Sequence, residues 1–371
     1  MNGSAFIFIP DISGFTEFVT HTEIGHSNHI ITELIEAILH ANELNFTVSE
    51  IEGDAVLFYK VGDPPPLERL LLQTKRMFFA FHRHLKIIER DTVCQCGACT
   101  TASRLTIKMI AHYGALRETA IGNFSKIIGS DVILAHRLLK NTLHESEYIV
   151  LTEQYLRTQE RKSVIDPWIA FQKHTEQIEN FGDVHLEYVI LSPLRSLIPD
   201  LPTGVEESFP DTFNGHTIMI NAPMSFVHEA LTDIQARPLW VHGVKEIRSA
   251  SPINRVNESH LCVFENLEVN IVTRANRVRG RKIYYSEKSE ANTGFSFIND
   301  FRLVDASGST ELSVRATMVQ SRVAERSILV RTFHQLKTRI LLMVVRHNTK
   351  RNLRGFKRYA ERLHTERITG T

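Results

Sequence analysis

Between Ser192 and Gly215 the chain carries Pro193, Pro199, Pro202 and Pro210 with Gly204 and the pair Glu206-Glu207, and no hydrophobic period of either kind runs through it. A chain interrupted in this way folds as two bodies. The expected division is a first domain over 1–192, a linker over 193–214 and a second domain over 215–371. At 371 residues and 43% hydrophobic content, the apolar material suffices for two ordinary cores.

Bulk charge names no partner. With 43 Lys+Arg against 42 Asp+Glu, nothing points to a general affinity for nucleic acid, and no specific nucleic-acid partner is expected. The segment from Met1 to Phe15 has no cationic flank, and its short apolar run stops at Pro10-Asp11, unlike a secretion signal. The later apolar run Ile340 to Val345 is far below the roughly 20 residues that span a bilayer. A soluble cytoplasmic protein is the expectation. The four cysteines, three of them within Cys94–Cys99 and the fourth at Cys262, do not make a disulfide framework.

In the first domain, Ala5 to Ile9 reads as a buried strand, and His26 to Asn42 as a helix with Ile30, Ile31, Leu34, Ile35 and Ile38 on its apolar face. Phe46 to Ile51 and Ala55 to Tyr59 are strand-like runs joined by Glu52-Gly53-Asp54, whose Gly-Asp pair suits a tight turn. A helix is expected over Leu67 to Leu85, a strand over Arg104 to His112 and a helix over Asp131 to Leu139. Alternation of this kind marks an α/β or α+β domain.

A strand ending in Asp11 followed by Gly14, and a hairpin turn ending in Asp54, would set two carboxylates at the ends of adjacent strands, where they could share hard divalent cations. Alternatively, Asp11 caps the following helix and Asp54 only supplies turn chemistry. Three segments decide how this is read: Phe8-Ile-Pro-Asp-Ile-Ser-Gly-Phe-Thr16, Glu50-Ile-Glu-Gly-Asp-Ala-Val-Leu57 and Gly129-Ser-Asp-Val-Ile-Leu-Ala-His-Arg137. In order and spacing they resemble the class III adenylate and guanylate cyclases. The resemblance implies a ferredoxin-like α+β domain, Mg²⁺ or Mn²⁺ on Asp11 and Asp54 with the Ile12 carbonyl as an added ligand, and a nucleoside triphosphate. It also implies phosphate contacts from Gly14, Phe15 and Thr16, a transition-state role for Arg137, and a site completed by homodimerisation.

The same resemblance exposes departures. Glu50 stands where adenylate cyclases carry a base-reading lysine, and Lys126 where the family has aspartate or cysteine. A carboxylate can accept from guanine N1 and N2 and an ammonium can donate to O6, so the pair suits GTP, unless both are merely solvated. Ile133 replaces a ribose-anchoring asparagine, and Asn180-Phe181 stand where a phosphate-clamping lysine is expected. Lost orientation is worth orders of magnitude in rate, so the expected domain binds metal and nucleotide with impaired catalysis; a working cyclase and a nucleotide-free dimeric scaffold are the alternatives.

Cys94, Cys96 and Cys99 could converge on Zn²⁺ with a fourth ligand from His112 or from a partner subunit, or remain reduced thiols in a loop. Beyond the linker, strands are expected at Thr217 to Asn221 and serially from Val244 to Val319, with a helix at Pro223 to Ile234 and a long final helix over 327–363. Leu336, Ile340, Met343, Leu353, Phe356, Ala360 and Leu363 form the apolar stripe of that helix, and Lys337, Arg339, Arg346, Lys350, Arg351, Arg354, Lys357, Arg358 and Arg362 a basic face. The order resembles the START-like helix-grip fold of polyketide cyclases and lipid-transfer proteins, which implies a cavity for a hydrophobic small molecule. Phe264, Phe295, Phe297 and Phe301 either face such a pocket or fill a small core.

Overall fold

In the computed structural model of the chain, residues 2–20, 22, 24–121, 124–160, 166–202, 209, 213–319 and 328–369 are described; for 2, 120, 121, 124, 125, 328–344 and 346 this covers the backbone only. Two compact units emerge, Met1–Arg90 with Thr100–Pro202, and Asp91–Cys99 with Thr203–Thr371. Both mix helices and strands. Among the described residues, no helix is long and apolar enough to cross a membrane.

Through Ile190 the elements are β1 (Asn2–Ser13), α1 (Phe15–Thr20), α2 (Ile24–His40), β2 (Thr47–Glu52), β3 (Ala55–Val61), α3 (Leu67–Asp91), α4 (Gly97–Thr101), β4 (Thr106–Ile121), β5 (Phe124–Ile128), α5 (Ser130–Leu138), β6 (Tyr148–Thr152), α6 (Glu153–Leu156), β7 (Gln172–Ile178) and β8 (Gly182–Ile190). The sheet runs β2-β3-β1-β4-β6-β8-β7, with β5 paired to β4 off this path, and only the β4–β6 pairing is parallel among those described.

Successive side chains of a strand face opposite ways, and β1 is buried on both. Ala5, Ile7 and Ile9 pack with Val132, Leu134, Ala135 and Leu138 of α5. Phe6 and Phe8 meet Phe46, Phe58 and Tyr155 on the other face, with ring centroids 5.3–6.5 Å apart. An unbroken apolar run is what such a strand requires. The strand expected over 104–112 continues to Ile121 because its second half pairs with β5. The expected apolar face of α2 is buried as a block.

An ion cluster with a buried His82–Glu147 pair and an exposed arginine, Arg195, joins α3 to the segment after β8. Glu147, 3% exposed, accepts two hydrogen bonds from Arg195, at 2.8 Å from Nε and 2.7 Å from Nη2, and lies 2.7 Å from His82 Nε2. Burial works to raise the Glu147 pKa, but the contacts with His82 and Arg195 outweigh it and hold the carboxyl below its ordinary 4.5. Burial dominates at His82 and lowers its pKa from 6.5. Both shifts leave the unfolded chain binding more protons in acid, so stability should fall as pH drops below 6.5 and again as it passes below 4.5. Glu147→Gln should flatten the lower limb and cost about 1–3 kcal/mol at neutral pH, read from urea melts across a pH series.

The second unit contains β9 (His216–Ile220), α7 (Met224–Thr232), α8 (Arg237–Trp240), β10 (Glu246–Ser249), β11 (Ser259–Val263), β12 (Glu268–Arg279), β13 (Lys282–Ala291), β14 (Ser296–Ala306), β15 (Ser309–Met318) and α9 (Ile328–Thr369). Its sheet is antiparallel in the order β10-β11-β12-β13-β14-β15-β9. Leu353, Phe356, Tyr359 and Ala360 of α9 pack against Tyr285, Phe301, Leu303, Leu312 and Val314 of this sheet. Lys350, Arg351, Arg354, Arg358 and Arg362 form a solvated outer face. The side chains of Leu336, Lys337, Arg339, Ile340, Met343 and Arg346 lie outside the described residues, as do Gly204, Glu206, Glu207 and Pro210 of the expected linker.

The cysteine segment, read from sequence as part of 1–192, goes with this unit. Val93 donates its N–H to the Asn254 carbonyl at 2.9 Å, and Val256 donates to the Asp91 carbonyl at 2.8 Å. Thr92 and Arg255 form a β-bridge, and Val93 is fully buried in the second unit's core. Backbone pairing across some 160 residues leaves no local trace in sequence.

Candidate functional site

Asp11 stands inside β1, opposite Ala55 of β3 and Lys108 of β4, and the strand continues past it to Ser13 rather than ending there. Gly14, at φ +89°, then turns the chain into α1, and Gly53, at φ +62°, turns β2 into β3. Left-handed backbone of this kind favours glycine at both positions. The second turn is tied to β1, because Ile12 donates its N–H to the Asp54 carbonyl at 3.1 Å.

The Asp54 carboxyl feels the charge of Asp11. Burial raises the Asp11 pKa against the opposing pull of Lys108, and Asp54 is pushed up to about 6, first by burial and then by the Asp11 charge. Lys108 Nζ lies 3.3 Å from Asp11 Oδ2 and donates to the Leu139 carbonyl at 2.7 Å, just past the end of α5. A cation there also favours the negative end of the helix. Sequence reading missed Lys108, since only the strand register sets it opposite Asp11.

Asp11, Ile12, Gly14, Phe15, Thr16, Glu50, Asp54, Lys126 and Arg137 all line one cleft of about 1030 Å³. Their chemistry is less uniform than their position. Helix α1 has only six residues, so the phosphate-holding N-terminus expected after Gly14 carries a weak dipole. Lys126 Nζ meets Glu50 Oε2 at 2.9 Å, so the two candidate base readers are partners of each other. Ile133 projects into the cleft 53% exposed, an apolar group where a ribose anchor was sought. Arg137 Nη1 donates to the Glu179 carbonyl at 2.8 Å, beside the β7–β8 turn formed by Asn180 and Phe181.

Helix α5, which carries Arg137, is locked onto β4 by a second network that sequence reading did not find. Asp131 Oδ1 lies 3.0 Å from His112 Nε2, Asp131 Oδ2 accepts the Ala115 N–H at 2.9 Å, and His112 Nδ1 lies 2.9 Å from Thr152 Oγ1. The hydrogen bond from His112 holds the Asp131 carboxyl below the usual range. With both ring nitrogens engaged, His112 is not the fourth ligand of the cysteines that the sequence suggested. A Cβ on Gly114 would overlap the Asp131 carboxyl group, and one on Gly129 would fall 2.8 Å from the Ala115 carbonyl oxygen. Gly114→Ala should therefore displace Asp131 and cost about 1–3 kcal/mol, checked by chemical denaturation.

In the second unit a cavity of about 380 Å³ lies between the sheet and α9. Phe264, Phe295, Phe297 and Phe301 all line it, and Phe301 is at the same time part of the packed core. Its wall also holds a buried ion pair, Arg237 with Glu287, and Glu287 Oε1 accepts a hydrogen bond from the Tyr285 hydroxyl at 2.5 Å. The Sγ atoms of Cys94, Cys96 and Cys99 lie within 4.8 Å of one another, and no disulfide joins them.

These observations define a mixed α+β protein with a paired-aspartate cleft in one unit and an apolar cavity in the other. The chain belongs to the family of the uncharacterized protein Rv2561/Rv2562 of Mycobacterium tuberculosis, to which it is 30% identical over 183 residues, 46% of this chain and 78% of that protein. A family model described as a protein of unknown function (DUF2652) matches residues 31–148. Solved structures similar to the chain include the guanylate cyclase domain of RhGC from Catenaria anguillulae in complex with GTP, at 17% identity and a TM-score of 0.37, covering 51% of this chain and 97% of that one. The adenylyl cyclase CyaB from P. aeruginosa is similar at 19% identity and a TM-score of 0.36, covering 51% and 95%.

Proposed function

We propose that the first unit is a divergent nucleotidyl-cyclase-like domain that binds a nucleoside triphosphate, GTP preferred, together with Mg²⁺ or Mn²⁺. The observation that carries this reading is the convergence of Asp11 and Asp54 with the other motif residues on one cleft. The carboxylates fit a divalent cation: both have raised pKa values, and of the two it is Asp11 that Lys108 meets in an ion pair, at 3.3 Å. Five carboxylates (Asp11, Glu17, Glu50, Glu52, Asp54) and four cations (Lys108, Lys126, Arg137, Lys140) line the cleft, a net charge of −1. A triphosphate would enter such a cleft only with its own cations.

Bound metal would supply Lewis-acid polarisation of the phosphates. Asp11 and Asp54 would hold it, with the Ile12 carbonyl beside them. Glu50 and Lys126 would read guanine after giving up their mutual ion pair, and Arg137 would offset charge on the phosphates. Ile133 offers the ribose no hydrogen bond, which weighs toward binding over rapid turnover. A second copy of the chain would complete the site, as the resemblance implies.

The test is to incubate the full chain with Mn²⁺ and each nucleoside triphosphate, recording thermal stabilisation and, by mass spectrometry, pyrophosphate and cyclic nucleotide. Stabilisation by GTP without product is the expected result. Product that disappears in Asp11→Ala would instead make the protein a working cyclase; no stabilisation by any triphosphate would leave a dimeric scaffold.

The apolar cavity supports a second reading, that the second unit is a START-like domain for a hydrophobic small molecule and the whole a ligand-sensing or signalling protein. Trp240 lines the cavity, so an occupant should change its fluorescence. Ser289, buried in the cavity wall, offers a way to fill the space. Anilinonaphthalene sulfonate should bind the native chain and fail to bind Ser289→Phe; equal binding to both would count against an internal site.

A further inference from the structure

We propose that Cys94, Cys96 and Cys99 form a three-thiolate zinc site in the second unit, separate from the triphosphate cleft. Four-coordinate zinc with Zn–S bonds of about 2.3 Å spaces its sulfurs about 3.8 Å apart, the edge of a tetrahedron. The three Sγ atoms already lie within 4.8 Å of one another. Closing onto a metal needs only small side-chain rotations.

The surroundings favour a fixed site over a loose loop. The chain just before the cysteines is pinned to Asn254–Val256 by two backbone hydrogen bonds and a β-bridge, and Val93 is fully buried. Cys96 and Cys99 are 6% and 8% exposed, while Cys94 is half-buried and borders solvent, which gives an ion a path in. Gly97 and Ala98 keep the turn between Cys96 and Cys99 free of bulk. Three soft sulfur donors select a thiophilic ion over Mg²⁺ or Mn²⁺, so this site and the aspartate cleft should not compete for the same metal. The fourth coordination position is left for a non-cysteine ligand. Each thiol that becomes a ligand releases its proton to solvent, so uptake of Zn²⁺ should acidify a weakly buffered solution.

The experiment uses the full chain, purified with reductant and without chelator, and measures zinc by inductively coupled plasma mass spectrometry. One zinc per chain is expected, lost in Cys96→Ser and in Cys99→Ser and retained in Cys262→Ser, whose sulfur lines the apolar cavity. Reconstitution with Co²⁺ should give thiolate-to-cobalt charge-transfer absorption in the native chain and in Cys262→Ser only. Should a buried variant fail to fold by circular dichroism, the half-buried Cys94→Ser substitutes for it. Zinc retained by all three cluster variants would overturn the proposal, because the metal would then lie elsewhere. So would a native chain that takes up neither ion under reducing conditions, or one whose cluster only forms a disulfide on mild oxidation.

Discussion

Glu287→Ala should destabilise the second unit by about 3–5 kcal/mol, the cost of leaving one charge of a buried pair without its partner. Arg237 is 4% exposed and Glu287 1%, so the abandoned guanidinium would find little water. The Tyr285 hydroxyl would lose its acceptor as well. Against a typical total of about 5–15 kcal/mol, the loss is a large part of the stability of one unit. Arg237→Met should cost as much, since it strands the carboxylate. The double variant Arg237→Met/Glu287→Leu should recover most of both losses, because a buried pair replaced by apolar groups of similar volume is often neutral. Urea denaturation followed by tryptophan fluorescence in a Trp168→Phe background reads this unit through Trp240. Single-variant costs below about 1 kcal/mol would mean that water reaches the pair and that the cavity wall is wetter than its burial indicates.

That pair also shows what a sequence carries and what it conceals. Arg237 and Glu287 are separated by 50 residues, and nothing in their neighbours announces that each is the other's counterion. Lys108 was hidden for the same reason: its meeting with Asp11 depends on the register of β1 against β4. The Asp131–His112 lock depends on a helix crossing a strand where Gly114 leaves room. Features set by local chemistry were legible instead. The apolar run of β1 announced burial on both faces, and the Gly53-Asp54 turn announced the β2–β3 hairpin. The motif residues of the cleft were legible because their spacing is short within each segment, although the three segments meet only in space. Strands β6, β7 and β8 were not read from the sequence; β7, Gln-Lys-His-Thr-Glu-Gln-Ile, gives little apolar signal because only Glu176 and Ile178 of its residues are buried. The four phenylalanines of the cavity had the right alternation, but alternation does not distinguish a filled core from a lined space.

Asp54→Asn should act in opposite directions with and without metal, which makes it the sharpest probe of the first unit. The amide keeps the size of the carboxyl and removes its charge. Without metal, the native carboxylate is ionised at neutral pH against burial and against Asp11, which is why its pKa rises to about 6. The variant is relieved of that opposition, so its melting temperature should equal or exceed that of the native chain. With Mn²⁺ and GTP the order should reverse. Loss of a partner to a metal ligand already weakens a site by about 10–100-fold, so loss of the ligand's own charge should cost roughly 100-fold or more in metal-dependent nucleotide affinity. Lys108 cannot compensate, because its ammonium already serves Asp11 and the Leu139 carbonyl. Titration of GTP at fixed Mn²⁺ by calorimetry, alongside melting curves with and without the pair, measures both effects on one sample. A variant less stable than the native chain without metal would show that Asp54 is a turn residue whose charge is needed for folding. Unchanged GTP affinity would remove the carboxylate pair from the binding site, whatever else the cleft accommodates.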